Sequence, residues 1–298
     1  MSRPAKHISV LLREVVEGLA VKPSGKYVDA TLGGGGHAVE ILSRGGRVLG
    51  IDWDKEALKA ARKRLDADFP KGKWQLARGN FAKVKQICGE AGWSKVGGVL
   101  FDLGLSSIQL NTARRGFAFR KEGPLDMRMD ERLGVTASDL VNALSEKQLR
   151  EVFSNLGEER LALSIARRIC QARAVKKIET TKGLADLVAR VYQGKGKWGA
   201  KIHPATRVFM ALRMAVNFEL DNLREGLNGA VEILRKNGRL VVISFHSGED
   251  RIVKQTLQEW KRVGVLKTLT DKPIVPSESE ININPRSRSA KLRIAEKI

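Results

Sequence analysis

Gly33-Gly34-Gly35-Gly36 leaves four consecutive positions without a Cβ, so a ligand can approach the main chain closely there. Asp52 lies nineteen residues beyond Gly33, where a carboxylate can accept hydrogen bonds from both hydroxyls of a ribose. Glycine loop plus acid therefore points to an adenosine-containing ligand without choosing among such ligands. Each half has a plainer reading: the glycines suit any tight strand-to-helix turn, and Asp52 suits a helix cap. The run is GGGGH, with His37 where a dinucleotide site carries its third, helix-packing glycine. A sulfonium donor has no pyrophosphate and needs that helix terminus less, so the loop favours S-adenosylmethionine over a nicotinamide cofactor. Asn80-Phe81 offers an aromatic ring for adenine, though Phe81 reads equally well as core. Asp102 stands where the methyl group would be presented. Methyl transfer is an in-line displacement and depends mainly on alignment. A carboxylate beside an exocyclic amine also orients its lone pair and favours loss of its proton. A strand-end cap is the competing role for Asp102.

These residues need elements to position them, and the pattern along the chain supplies them. Strand-like runs cover Lys26 to Leu32, Arg47 to Ile51, Trp74 to Ala77 and Val96 to Phe101. Helical patterns over His37 to Ser43 and Lys55 to Leu65 separate the first three. Strand, helix, strand at this spacing predicts a parallel, doubly wound sheet with ligands beyond the carboxyl ends of its strands. Asn111 to Ala215 has no convincing strand, only helical stretches at Ser138 to Leu156, Glu158 to Ala174 and Lys182 to Tyr192. A helix over Val216 to Arg235, a strand over Arg239 to Phe245 and a final pair of strands after Leu266 resume the α/β pattern. The expected organisation is an α/β, Rossmann-like cofactor domain (1–110 and 216–298) interrupted by an all-helical domain (111–215).

Composition narrows the partners. Lys and Arg number 54 against 33 Asp and Glu, a net charge of +21 over 298 residues, which favours polyanions through long-range attraction. Aromatic residues are only 5%, so recognition of nucleic acid would rest on phosphate contacts and one shaped pocket. Cys88 and Cys170 lack any CxxC spacing and fit a reducing cytoplasm. No set of His, Cys and acidic residues makes a metal site. No apolar run has the roughly 18 residues of a membrane span.

Longer motifs carry a resemblance. HISVLL (7–12), TLGGGGH (31–37), DLGLSSIQ (102–109), RGFAF (115–119), GPLDMRMD (123–130), HPATR (203–207), Val216-Asn217, SFHSGEDRIVK (244–254) and NPRSRSAKLR (284–293) resemble the RsmH, or MraW, family of bacterial methyltransferases. The resemblance runs from residue 7 to residue 293. It implies a Rossmann-like methyltransferase fold with an inserted helical domain. It also implies methylation, with S-adenosylmethionine, of the exocyclic N4 of a cytidine in the decoding region of 16S ribosomal RNA, within the small subunit. For the cofactor it implies Gly35, Gly36, His37, Asp52, Phe81, Asp102 and Gln109. Gln109 enters only this way. In one respect the chain departs from many amino-methyltransferases: Asp102-Leu103-Gly104-Leu105 stands where they carry Asp/Asn-Pro-Pro-aromatic.

A target base must be unpaired or swung into a pocket, at a cost of about a few kcal/mol. Arg114, Arg115, Arg120, Arg128 and Arg132, with Lys195, Lys197 and Lys201, are the candidate phosphate ligands, and Phe117 or Phe119 the candidate pocket wall. Arg-Asp pairs that brace the insertion are the competing reading around GPLDMRMD. His246, with Ser247 and Asp250, is a candidate contact to the acceptor nucleotide. A Ser-His-Asp hydrolase fits poorly, since the three lie within five positions. His203, before Pro204, reads as a structural loop histidine. The alternatives are a non-catalytic RNA-binding assembly factor on the same scaffold and, more remotely, a nicotinamide-dependent oxidoreductase.

Overall fold

The structure is a computed structural model that describes residues 8–196 and 203–298. The chain divides into two compact units, Met1–Ser106 with Leu220–Ile298, and Ser107–Glu219. The helical unit thus begins four residues before, and ends four residues after, the limits drawn from the sequence pattern.

In the first unit the order is α1 (Leu12–Gly18), β1 (Lys26–Asp29), α2 (Gly36–Ser43), β2 (Arg47–Asp52), α3 (Lys55–Asp68), β3 (Trp74–Arg78), α4 (Val84–Glu90) and β4 (Val96–Asp102). The second unit contains α5 (Ser107–Asn111), α6 (Ala137–Ala143), α7 (Glu146–Asn155), α8 (Ala162–Val175), α9 (Thr181–Gly194) and α10 (Ala205–Asn217). The chain returns through α11 (Glu219–Ile233), β5 (Leu234–Ser244), α12 (Ser247–Arg262), β6 (Leu266–Thr268), α13 (Glu278–Ile283) and β7 (Lys291–Lys297).

The sheet order is β3-β2-β1-β4-β5-β7-β6. β1 to β5 pair in parallel, and β7 runs antiparallel to both β5 and β6. Both faces are covered, as a parallel sheet requires. Alternate residues serve opposite cores: Val28, Val99, Phe101 and Val242 pack into one, Tyr27, Leu100, Val241 and Ile243 into the other. Strand order reverses between β1 and β4. The carboxyl ends of those two strands therefore open the crevice in which such sheets hold ligands.

Several elements differ from the sequence expectation, and β5 begins at Leu234 rather than at Arg239. β1 ends at Asp29 rather than at Leu32. The helix expected over 138–156 is two, because α6 ends at Ala143 and Ser145 caps α7 in a capping box with Gln148. The helix expected over 216–235 is likewise the end of α10 and all of α11, broken at Phe218, which sits in the left-handed region at φ 52°. Among the described residues no helix is long and apolar enough to cross a membrane.

Candidate functional site

The glycine loop connects β1 to α2. Gly33 and Gly35 have φ of +52° and +76°, the left-handed region that disfavours side chains, and Gly35 caps α2. A Cβ on Gly36 would lie 1.9 Å from Ser9 Oγ, whereas one on Gly34 would meet nothing within 4 Å. Gly36 is small to admit the 8–11 segment, and the open stretch of main chain is at Gly34.

Asp52 closes this loop from below. Its Oδ2 accepts the Gly33 N–H at 2.8 Å and its Oδ1 accepts the Asp54 N–H at 2.9 Å. Each oxygen keeps a second lone pair for a hydroxyl donor. Burial raises the Asp52 carboxyl to about 6, against the lowering effect of those backbone donors.

Asp29, at the end of β1, escaped the sequence analysis. It is 1% exposed, and burial, with the nearby Asp52 charge adding to it, raises its carboxyl to about 7. Its partner among the described residues is the Thr31 N–H, at 3.3 Å. Thr31 Oγ1 in turn accepts the Asp102 N–H at 2.6 Å, which ties the end of β1 to the end of β4.

Asp102 Oδ1 is buried with no hydrogen-bond partner among the described residues. Its Oδ2 lies 3.6 Å from Nδ1 of His37, which is buried at the start of α2. Burial, then the charges of Asp29 and Glu249, hold the Asp102 carboxyl well above the usual carboxylate range. Asp29, Asp52 and Asp102 thus stand at three strand ends, each disfavoured as an anion until positive charge arrives. An orphaned carboxyl oxygen, raised carboxyls and the open main chain at Gly34 suit a ligand carrying a ribose and positive charge.

Two rings flank this crevice. Phe81 follows β3 and packs edge-on against Phe101, with centroids 5.6 Å apart. Trp53, directly after Asp52, lies 6.4 Å from Phe81 at a 50° tilt. Trp53 was also missed, although its position after a strand-end acid was the available signal. On the other side of Asp102, Gly104 has φ +106° and a Cβ there would come within 3.3 Å of the Phe245 ring. Phe245 thus gives this chain an aromatic beside the β4 loop, where the Asp-Pro-Pro-aromatic segment would have supplied one.

His246 caps α12: Nδ1 accepts the Glu249 N–H at 3.3 Å, and Glu249 Oε2 accepts the Phe245 N–H at 2.7 Å. Asp250 is taken by Arg293 at 2.7 Å and Lys291 at 3.2 Å. Burial pushes its carboxyl up, but these cations bring it below the usual range. No triad forms among His246, Ser247 and Asp250.

The basic residues of the helical unit separate into two groups. Arg115 is buried, donates from Nη2 to the Arg128 and Met129 carbonyls, and lies over the Phe117 ring. Arg128 donates from Nε and Nη2 to Asp126, at 2.8 Å each, and from Nη1 to the carbonyls of Glu131 and Leu133. These contacts brace the loop from within the protein. Phe117 is buried, with the Arg115 guanidinium over its ring. Arg114, Arg120 and Lys195 are exposed. Lys197 and Lys201 lie outside the described residues. Gln109 is buried on α5.

The sequence of the whole chain matches the MraW methylase family over residues 4–298. It is 46% identical over 312 residues to the ribosomal RNA small subunit methyltransferase H of Pelobacter propionicus, covering 98% of this chain and 99% of that protein. The protein of the same name from Desulfotalea psychrophila is 48% identical over 296 residues, covering 98% of each chain. Among solved structures, an rRNA methylase from Streptococcus thermophilus aligns with a TM-score of 0.46 at 10% identity, over 100% of this chain and 99% of that one.

Proposed function

The chain belongs to the MraW methylase family, and on that premise we propose that it methylates the exocyclic N4 amine of a cytidine in the decoding region of 16S ribosomal RNA, within the small subunit in the cytoplasm. The observation that carries the reading is the cluster of three raised carboxyls around an open glycine loop, with Asp102 Oδ1 buried and without a hydrogen-bond partner among the described residues.

S-adenosylmethionine supplies an electrophilic methyl on a positive sulfur. Asp52 accepts the ribose hydroxyls, Gly34 leaves its main chain open to the ligand, and Phe81 with Trp53 walls the adenine. Asp29 and Asp102 balance the positive charge, which exchanges their unfavourable burial for an attraction. Gly35, Gly36 and His37 shape the loop, and Gln109 joins the cofactor residues through the family resemblance.

Asp102 Oδ1 accepts an N–H of the incoming amine and so turns its lone pair towards the methyl, a positioning effect. After transfer the nitrogen carries an extra proton, and Asp102 takes it. Phe245 forms a wall for the acceptor base beside Asp102. Exposed Arg114, Arg120 and Lys195 attract the RNA backbone.

The test is transfer of labelled methyl from S-adenosylmethionine to small subunits from cells lacking the enzyme, followed by nucleoside mass analysis. N4-methylcytidine that disappears with Asp102→Ala, while the cofactor still binds, supports the reading. Tight cofactor binding without transfer to any subunit or RNA would instead mark a non-catalytic assembly factor.

A further inference from the structure

Two sequence motifs that the methyl-transfer chemistry leaves unused meet in the helical unit. Phe119, of the RGFAF motif, and His203, of HPATR, stack with ring centroids 4.6 Å apart and planes 32° from parallel. Phe209 of α10 supports Phe119 from beneath, edge-on at 5.1 Å. Phe209 is buried, Phe119 partly buried and His203 exposed. The stack therefore climbs from the core of the unit to its surface and ends on an imidazole.

The platform is held on every side. His203 Nδ1 accepts the Ala205 N–H at 3.2 Å, which fixes the ring at the start of α10. The loop bearing Phe119 is closed at its base, because Gly116 and Gly123 pack where a Cβ would fall 2.3 Å from the Pro124 carbonyl and 2.1 Å from the Ala113 carbonyl. Thr181 then anchors it to α9: its N–H donates to the Gly123 carbonyl, and its hydroxyl donates to the Lys121 carbonyl. The same loop and the turn before it carry Arg114, Arg120 and Lys121, all exposed. Among the described residues none of these three cations has a salt bridge. Glu122, next along, is the one acid there.

We propose that the Phe119–His203 stack is a shelf on which one unpaired base of the RNA substrate lies, with Arg114, Arg120 and Lys121 holding the phosphates beside it. This rests on the reading of the substrate as RNA. An aromatic face accepts any base, and cations beside it track the backbone, the combination by which single strands are held. With aromatic residues at 5% of the chain, one built shelf suits a single stacked nucleotide rather than a broad platform. Net charge alone would attract RNA to any face; a supported ring beside unpaired cations is what singles out this one.

The test measures binding of a labelled single-stranded RNA oligonucleotide to the full-length protein carrying His203→Ala or His203→Phe. His203→Ala should weaken binding about ten-fold, the scale of one lost base stack, with an unchanged salt dependence because the phosphate contacts survive. His203→Phe should bind within about two-fold of wild type, since it keeps a ring to stack on. Thermal unfolding of both variants controls for folding. Binding unaffected by His203→Ala, or weakened equally by both substitutions, would overturn the shelf, as would a wild-type protein that binds no RNA. Methyl transfer is scored separately: RNA binding that follows this pattern without any methylation would refute the proposed function and leave the shelf standing.

Discussion

His37 Nδ1 stands 3.6 Å from Asp102 Oδ2, while His37 Nε2 is 3.0 Å from the Val10 carbonyl. A carbonyl can only accept, so Nε2 is the donor to Val10, and Nδ1 is the ring atom that faces the Asp102 carboxyl. The pair can therefore hold one proton on the carboxyl, next to the place where the methylated amine must lose one. Asp102→Asn keeps the shape and removes that capacity. It should lower kcat by about a hundred-fold or more, the usual range for a general base, with cofactor affinity changed far less. Single-turnover methyl transfer checks this; near-normal turnover would reduce Asp102 to a strand-end cap.

Cofactor affinity should rise with pH. Burial raises the Asp29 and Asp52 carboxyls to about 7 and about 6, and a bound cation favours their ionised forms, so binding releases protons. Affinity for S-adenosylmethionine should therefore tighten from pH 5.5 to pH 8, with proton release seen by calorimetry in buffers of different ionisation enthalpy. The demethylated product has a neutral sulfur and should show a shallower dependence. Equal slopes for the two ligands would remove charge balance from the account.

The same carboxyls set the stability of the ligand-free protein. A folded carboxyl raised from 3.8 to about 7 stabilises the fold fully below its unfolded value, and that contribution is lost as pH rises through about 7. For Asp29 the loss is at most roughly 4 kcal/mol. Asp29→Asn should flatten the decline in stability between pH 5 and pH 8, and denaturant midpoints across that range measure it. An unaltered decline would assign it elsewhere.

Asp52 and Asp102 were legible because each ends a strong β-type run, and strand ends are where such sheets place chemistry. Asp29 was not, since Lys26 to Leu32 reads as one unbroken strand. The exit at Asp29 depends on contacts such as Asp102 N–H to Thr31 Oγ1, between residues 71 apart. Arginine roles were legible only as a choice. Asp126 and Arg128 are two residues apart, and whether they pair depends on the loop path, including Met127 at φ +63°. The meeting of Phe119 with His203 is likewise tertiary, and no local pattern foretells it.

Asn217 should be the most sensitive polar residue of the helical unit. It is buried, its Oδ1 accepts the Met129 N–H at 2.7 Å, and its Nδ2 donates to the Met127 and Arg213 carbonyls at 2.8 Å each. These bonds hold the loop on both sides of Met127's left-handed turn. Asn217→Ala strands a buried N–H and carbonyls, so a loss of about 2–4 kcal/mol follows. Unfolding of the variant in denaturant gives the value, and a loss below about 1 kcal/mol would mean water replaces the amide.

Exposed and braced arginines should separate cleanly in salt titrations. Arg114 and Arg120 are exposed, whereas Arg128 gives its donors to Asp126 and two carbonyls. Each phosphate contact to a single strand contributes about 0.7 to the slope of log affinity against log salt. Arg114→Gln and Arg120→Gln should each reduce that slope by about this amount and leave thermal stability unchanged. Arg128→Gln should do the reverse, because it strands the partly buried Asp126 carboxylate, which Arg128 holds below the usual range against the opposing effect of burial. A slope change with Arg128→Gln at constant stability would return Arg128 to the RNA-binding set. Constant slopes in all three would move the phosphate contacts to other basic residues.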